Sequence, residues 1–169
     1  MRDLGKRVGM RAQSIYSYFS SKSEIYDAMF HEGYRAFADR MTETVSEEAA
    51  ASDPLAVARN SVHAFVDFCT TDPARYQLLF QRTIPGFTPS EQSWAVALDA
   101  YEQMRARLEP VGVRDQETLD LWTAVMTGLT DQQISNDPGG TRWTQLIDRA
   151  IDMLILHTRT HTSNQSEQP

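Results

Sequence analysis

Side chains able to read or grip another molecule gather near the start of the chain. Arg11, Gln13, Ser14, Ser17 and Tyr18 fall in one short segment, each charged, amide-bearing or carrying a hydroxyl. A Gln amide can bond an adenine edge with two prongs, and Ser and Tyr hydroxyls suit phosphate oxygens. On an ordinary surface helix the same residues merely meet water. A second set has the spacing of acid–base or metal chemistry. His63 and Asp67 are four apart and would share a helix face, as would His157 and His161. Neither pair has a third ligand at a telling distance, and no His-Glu-x-x-His, Gly-x-Ser-x-Gly or phosphate-loop pattern occurs. Cys69 is the only cysteine, so no internal disulfide and no cysteine-based zinc site can form. Beside Phe68 in an apolar stretch, it reads as an inert buried thiol. The expectation is a protein that is not an enzyme and uses no cofactor and no metal.

Short helices must position the first set. Asp3 to Val8 has helical composition, with Leu4 and Val8 on one face. Gly9 breaks it where a left-handed backbone is cheap. After Met10 and Arg11, Ala12 to Phe19 reads as a second short helix whose Ile15 and Phe19 share a face. Two short helices joined by a Gly-led turn make a helix-turn-helix, whose second helix enters the DNA major groove. Charge agrees. Residues 1–22 carry five of the 16 basic residues and one of the 23 acidic ones, a basic head on a strongly acidic remainder. The net charge of -7 argues against a protein that coats nucleic acid generally.

This stretch resembles the TetR family of bacterial transcriptional repressors. Arg2 to Met10 is similar to the family's first motif helix and turn, and Ser14 to Ile25 to its recognition helix and the start of the next. The specific part is Tyr16 to Lys22, the Tyr-x-Tyr-Phe-x-Ser-Lys spelling. The resemblance covers about the first 30 residues and implies that Tyr16 and Lys22 hold DNA phosphates, while Gln13, Ser14 and Ser17 face base edges or backbone. Arg11 departs from the pattern, which usually has a small helix-capping residue there. Family members also carry an extra helix before the motif, whereas this sequence begins inside it. A second reading therefore stays open: a helical ligand-binding or interaction protein that does not bind DNA for want of that helix.

The rest of the chain reads as all-α. Ser21-Lys22-Ser23-Glu24 is a capping box opening a long amphipathic helix, roughly Lys22 to Ala50, that links head to body. Asp53-Pro54 and Asp72-Pro73 each place a capping side chain before a proline at the first helical position. Their helices run to about Thr70 and through Phe80. Thr83 to Phe87 is a loop. Thr88-Pro89-Ser90-Glu91 starts a helix carrying Trp94, Leu98, Tyr101, Met104, Arg105 and Leu108, and Pro110 and Gly112 end it. Asp115 opens another, Asp137 to Gly140 is a turn, and Thr141 to His157 is the last helix. The expected layout is a helix-turn-helix head with its linking helix over residues 1–45, a helical ligand-binding and dimerisation domain over 46–158, and a disordered tail over 159–169.

The last helix is apolar over more than one stripe and so needs cover on two sides. A helix-turn-helix also binds paired half-sites, which demands two-fold symmetry. Both point to a homodimer, and the resemblance implies that the last two helices form its interface. Candidates there are Leu121, Val125, Trp143, Ile147, Ala150, Leu154 and Ile155. Between linking helix and interface lie Phe65, Phe68, Tyr76, Phe80, Trp94, Tyr101, Trp122 and Met126, with His63, Asp67, Gln77 and Thr123 interleaved. They either fill the core or enclose the small-molecule pocket the resemblance implies, suited to an apolar or aromatic effector. The expected partners are an operator in double-stranded DNA, a small-molecule effector and a second copy of the chain. No apolar run approaches the ~20 residues of a membrane span, and no leader is evident, so the expected compartment is the cytoplasm.

Overall fold

The computed structural model describes residues 14, 18–43 and 52–165, with side chains through Thr158. Among these residues lie six α-helices and no strand, in keeping with the all-α expectation.

Helix α1 spans Lys22–Glu43. Its start is capped from both ends: the Glu24 N–H donates to Ser21 Oγ at 3.2 Å, and the Glu24 carboxylate accepts the Ser20 N–H at 2.6 Å. The return bond thus reaches Ser20 instead of Ser21. Residues 44–50, over which the helix was expected to continue, lie outside the described residues. The buried stripe of α1 is Phe30, Gly33, Tyr34, Phe37 and Met41. A Cβ on Gly33 would lie 2.8 Å from Leu79 Cδ2, so this glycine sets how closely α1 meets the helix carrying Leu79.

Helices α2 (Pro54–Thr71) and α3 (Pro73–Phe80) begin where their Asp-Pro pairs say they should. Asp53 accepts the Ala56 N–H and Asp72 the Arg75 N–H, both at 3.0 Å. Helix α4 is Glu91–Leu108, and its cap is Ser90, two residues later than the Thr88 start expected. The cause is tertiary. The Asp27 carboxylate of α1 accepts the Ser90 N–H at 2.7 Å, the Ser90 hydroxyl at 2.8 Å and the Ser93 hydroxyl at 3.0 Å. The face of α4 is rotated as well. Trp94 and Leu98 are exposed, and the buried stripe is Ser93, Ala97 and Ala100, small residues that let the bulky face of α1 approach. A 3-10 turn over Glu109–Val111 ends at Gly112, whose φ of 103° suits glycine.

Helix α5 covers Gln116–Asn136, capped by Asp115 through the Thr118 N–H at 2.8 Å. The last helix, α6, is Ile147–Gln165, preceded by a 3-10 turn at Thr144–Leu146. It starts six residues after the expected Thr141 because the intervening backbone is already held. The N–H groups of Trp143 and Thr144 donate to buried Gln133 Oε1 at 2.9 and 3.2 Å, and that of Arg142 to Asp137 Oδ2 at 2.8 Å. At its other end α6 runs well into the stretch expected to be a disordered tail. Thr158, just before that stretch, is buried, and its hydroxyl packs where a Cβ on Gly112 would lie 3.0 Å away.

The core has two clusters that share α2. One joins α2 to α5 and α6 through Ala58, Val62, Val66, Leu119, Trp122, Ile147, Ile151, Leu154 and Ile155, with Leu108, Val113 and Met126 completing it. The other joins α2 to α1, α3 and α4 through Phe30, Tyr34, Phe37, Met41, Ala64, Phe68, Cys69, Tyr76, Leu79, Ala97 and Ala100. Phe65 packs against both.

Candidate functional site

Of the residues expected to meet DNA, Arg11, Gln13, Tyr16 and Ser17 lie outside the described residues. Ser14 is helical, Tyr18 is 75 % exposed, and Lys22 is exposed as the first residue of α1. The end of the motif therefore runs straight into α1 with only the Ser20–Ser21 cap between.

A cavity of about 170 Å³ lies where the two core clusters meet. Helix α1 contributes Tyr34, Phe37 and Met41, and α2 contributes Ser61, Val62 and Phe65. Phe80 comes from α3, and α4 gives Ala97, Ala100, Tyr101, Met104, Arg107 and Leu108. Helix α5 closes the wall with Trp122, Thr123, Met126 and Thr127. An apolar hole of about 150 Å³ is enough to hold a benzene-sized molecule. Rings make much of the wall: Phe37 and Phe80 stand edge to face at 5.4 Å, as do Phe65 and Phe80.

Most of its polar atoms are already engaged. The Tyr34 hydroxyl donates to the Leu79 carbonyl at 3.0 Å, and burial, with Cys69 nearby, pushes its pKa up to about 12. Tyr101 accepts from Gln116 Nε2 at 3.0 Å. Thr123 and Thr127 return their hydroxyls to carbonyls of α5 at 2.8 and 2.7 Å. Two groups differ. The Ser61 hydroxyl oxygen is buried without a hydrogen-bond partner. Arg107, half-buried, has its pKa lowered by desolvation, and no carboxylate pairs with it among the described residues.

Five of the expected pocket residues, Phe65, Phe80, Tyr101, Trp122 and Met126, line this cavity. Phe68 and Tyr76 are core side chains behind the wall. Trp94 lies in a separate groove with Phe30, Phe87 and the loop after α3. His63 points away, its Nε2 lying 3.1 Å from Asp148 Oδ1 on α6. Asp67 instead pairs with Arg40 at 3.1 Å, so the spacing of His63 and Asp67 makes no acid–base couple. Arg59 joins the first contact, reaching Asp148 at 3.0 Å and also Asp152. Hydrogen bonds from His63 and then Arg59 hold the Asp148 carboxyl below its ordinary value. No group of three or more potential metal ligands forms among the described residues. Cys69 is fully buried, and burial raises its thiol pKa, which fits the inert role expected of it.

The residues missed by sequence reasoning are chiefly Tyr34, Phe37 and Met41. Their helical spacing marks a packed face, but nothing in it says that the face borders a void.

The expected dimer residues divide. Ile147, Leu154 and Ile155 turn into the subunit core, while Val125, Trp143 and Ala150 are half-buried. Leu121 is 41 % exposed, and the exposed large apolar side chains after it in the chain, among the described residues, are Leu146, Met153 and Leu156. The wide apolar character of α6 is thus real. Its inward stripe is the one occupied by the Ile and Leu residues named from the sequence, and its outward stripe is Met153 and Leu156.

Residues 1–29 match the family described as bacterial regulatory proteins, tetR family. Over 101 residues the chain is 29 % identical to the HTH-type transcriptional regulator Rv1816 of Mycobacterium tuberculosis (strain ATCC 25618 / H37Rv). The same identity holds for Mb1846 of Mycobacterium bovis, and the match spans 57 % of this chain but only 42 % of each relative. The solved regulatory protein SCO4313 shares the fold with a TM-score of 0.67 and 18 % identity, over 90 % of this chain and 83 % of that one. No helix among the described residues is long and apolar enough to cross a membrane.

Proposed function

We propose, from the premise that this chain belongs to the TetR family of regulators, that it is a DNA-binding transcriptional regulator. It acts as a repressor released from its operator by a small apolar or aromatic effector. The observation that carries the reading is the course of α1. The helix begins at Lys22, at the end of the family motif, and further along the same helix it supplies Tyr34, Phe37 and Met41 to the cavity wall. A molecule seated in the cavity touches the helix that leaves the DNA-binding head. If it binds better when α1 sets two heads at the wrong spacing, linkage requires it to weaken DNA binding by the same factor. A coupling of ~1–3 kcal/mol gives several-fold to a hundred-fold control.

Paired half-sites call for a homodimer. The exposed apolar side chains Leu121, Met153 and Leu156 on α5 and α6 support a second copy docking there, as the family's architecture implies.

The test is fluorescence anisotropy with the DNA flanking the protein's own gene, at two salt concentrations. This chain is run beside a version extended through any in-frame upstream codons. Salt-dependent, sequence-selective binding that an apolar ligand weakens is the expected result. Absence of binding by both forms, from a folded dimer, overturns the regulator and favours a helical ligand-binding or interaction protein.

A further inference from the structure

Among otherwise apolar walls, the cavity holds two polar groups that the fold leaves unanswered. Arg107 sits in the last turn of α4 on the cavity wall, half-buried and without a carboxylate partner among the described residues. An unpaired guanidinium partly removed from water is costly unless something supplies the opposite charge. The Ser61 hydroxyl is the second group. A serine inside a helix ordinarily returns its hydroxyl to a carbonyl one turn back, as Thr123 and Thr127 do on the facing helix. Ser61 Oγ is buried and makes no such bond.

We propose that the cavity takes an amphipathic anion, its apolar body against Phe37, Phe65, Trp122 and Met126 and its carboxylate head on Arg107, with Ser61 giving a second polar contact. A carboxylate matches the planar guanidinium fork, which offers paired parallel hydrogen bonds. The proposal narrows the effector class of the preceding reading and rests on the cavity being a ligand site.

The probes are octanoate, octanol and octylamine, which share one apolar chain and differ in head-group charge. Binding to the full chain is followed by tryptophan fluorescence, since Trp122 lines the cavity, and by thermal shift. Octanoate is expected to bind about ten- to a hundredfold more tightly than octanol, the range of a hydrogen bond to a charged group. Octylamine is expected to be the weakest. Arg107→Gln should bring octanoate down to the level of octanol while leaving octanol unchanged, and that constancy shows that the variant cavity is intact. Ser61→Ala should weaken octanoate by a smaller factor. Equal binding of octanoate and octanol, or a preference that survives Arg107→Gln, overturns the assignment of the anionic head and leaves an apolar effector standing. Binding of none of the three overturns the cavity as a ligand site, and this inference with it.

Discussion

The two clusters that meet on α2 are built differently. The one around α5 and α6 is largely branched aliphatic: Val62, Val66, Val113, Ile147, Ile151 and Ile155, with a single ring, Trp122, among its buried members. The one around α1 contains Phe30, Tyr34, Phe37, Phe68 and Tyr76. Branched side chains have few rotamers and interlock tightly. Rings are rigid plates that meet edge on, as Phe37 does with Phe65 at 6.1 Å and Tyr34 with Phe80 at 5.5 Å, and plates cannot bend into the gaps between them. The cavity lies between the two, and the ringed half supplies the part of its wall that belongs to α1, through Tyr34, Phe37 and Met41. On the function proposed above, one half is a base and the other the part that responds, and substitutions can separate the two roles.

The largest effect should come from the aliphatic half. Ile151 is completely buried, and Ile151→Ala should cost about 2–5 kcal/mol in urea unfolding. Octanol affinity should be unchanged wherever the variant is folded. A cost under about 1 kcal/mol would mean that this half is not the base.

Gln133→Ala comes next, at about 1–3 kcal/mol, because it strips the acceptor from two backbone N–H groups at the α5–α6 turn. Its signature should again be stability without any change in cavity binding.

On the ringed side, Asp27→Ala removes three hydrogen bonds between α1 and the start of α4 and should cost about 1–2 kcal/mol. Burial opposes the charge of Asp27, but the bonds from Ser90 and Ser93, with His31 nearby, prevail and hold its pKa below the ordinary 3.8. A lowered folded-state value means that the contribution is present above pH 3.8 and is lost as pH falls through the lower value. Stability of the natural protein should therefore drop more steeply in that acid range than that of Asp27→Ala. The variant should also change the ratio of DNA affinities with and without ligand. An unchanged ratio would detach the clasp from signalling.

The smallest change is Tyr34→Phe, about 1 kcal/mol for one buried hydrogen bond. With a folded-state pKa raised to about 12, the tyrosine's contribution is complete below pH 10 and is lost as pH rises toward 12. Ultraviolet titration should lose a tyrosine step near pH 12 in this variant, while the later step of the still more strongly shifted Tyr76 remains. Loss of an earlier step instead would mean that the hydroxyl is not sequestered.

What the sequence made legible follows from range. The caps at Asp53, Asp72 and Asp115 are local, satisfied within three residues, and each proved to be where its spelling placed it. The cap at Ser90 was misplaced because Asp27, far away in the chain, decides it. The face of α4 was misread for a related reason. Trp94 and Leu98 carry the larger hydrophobic signal, but the crowded rings of α1 require small partners, and Ala97 and Ala100 supply them. Pocket membership was only half legible. Periodicity tells which residues of a helix turn inward, but Phe68 and Phe65 both turn inward, and only packing sets one behind the wall and the other on it.

The turn between α5 and α6 places Gly140 where a Cβ would fall 2.2 Å from the Asp137 carboxylate, while that carboxylate also accepts from Arg142 and Gln133. For a lineage drifting by single substitutions, this couples the sites. A side chain at position 140 needs the Asp137 carboxylate to swing aside, at the cost of its bonds to the Arg142 N–H and Gln133. Descendants of this protein are expected to change positions 137 and 140 together more often than singly.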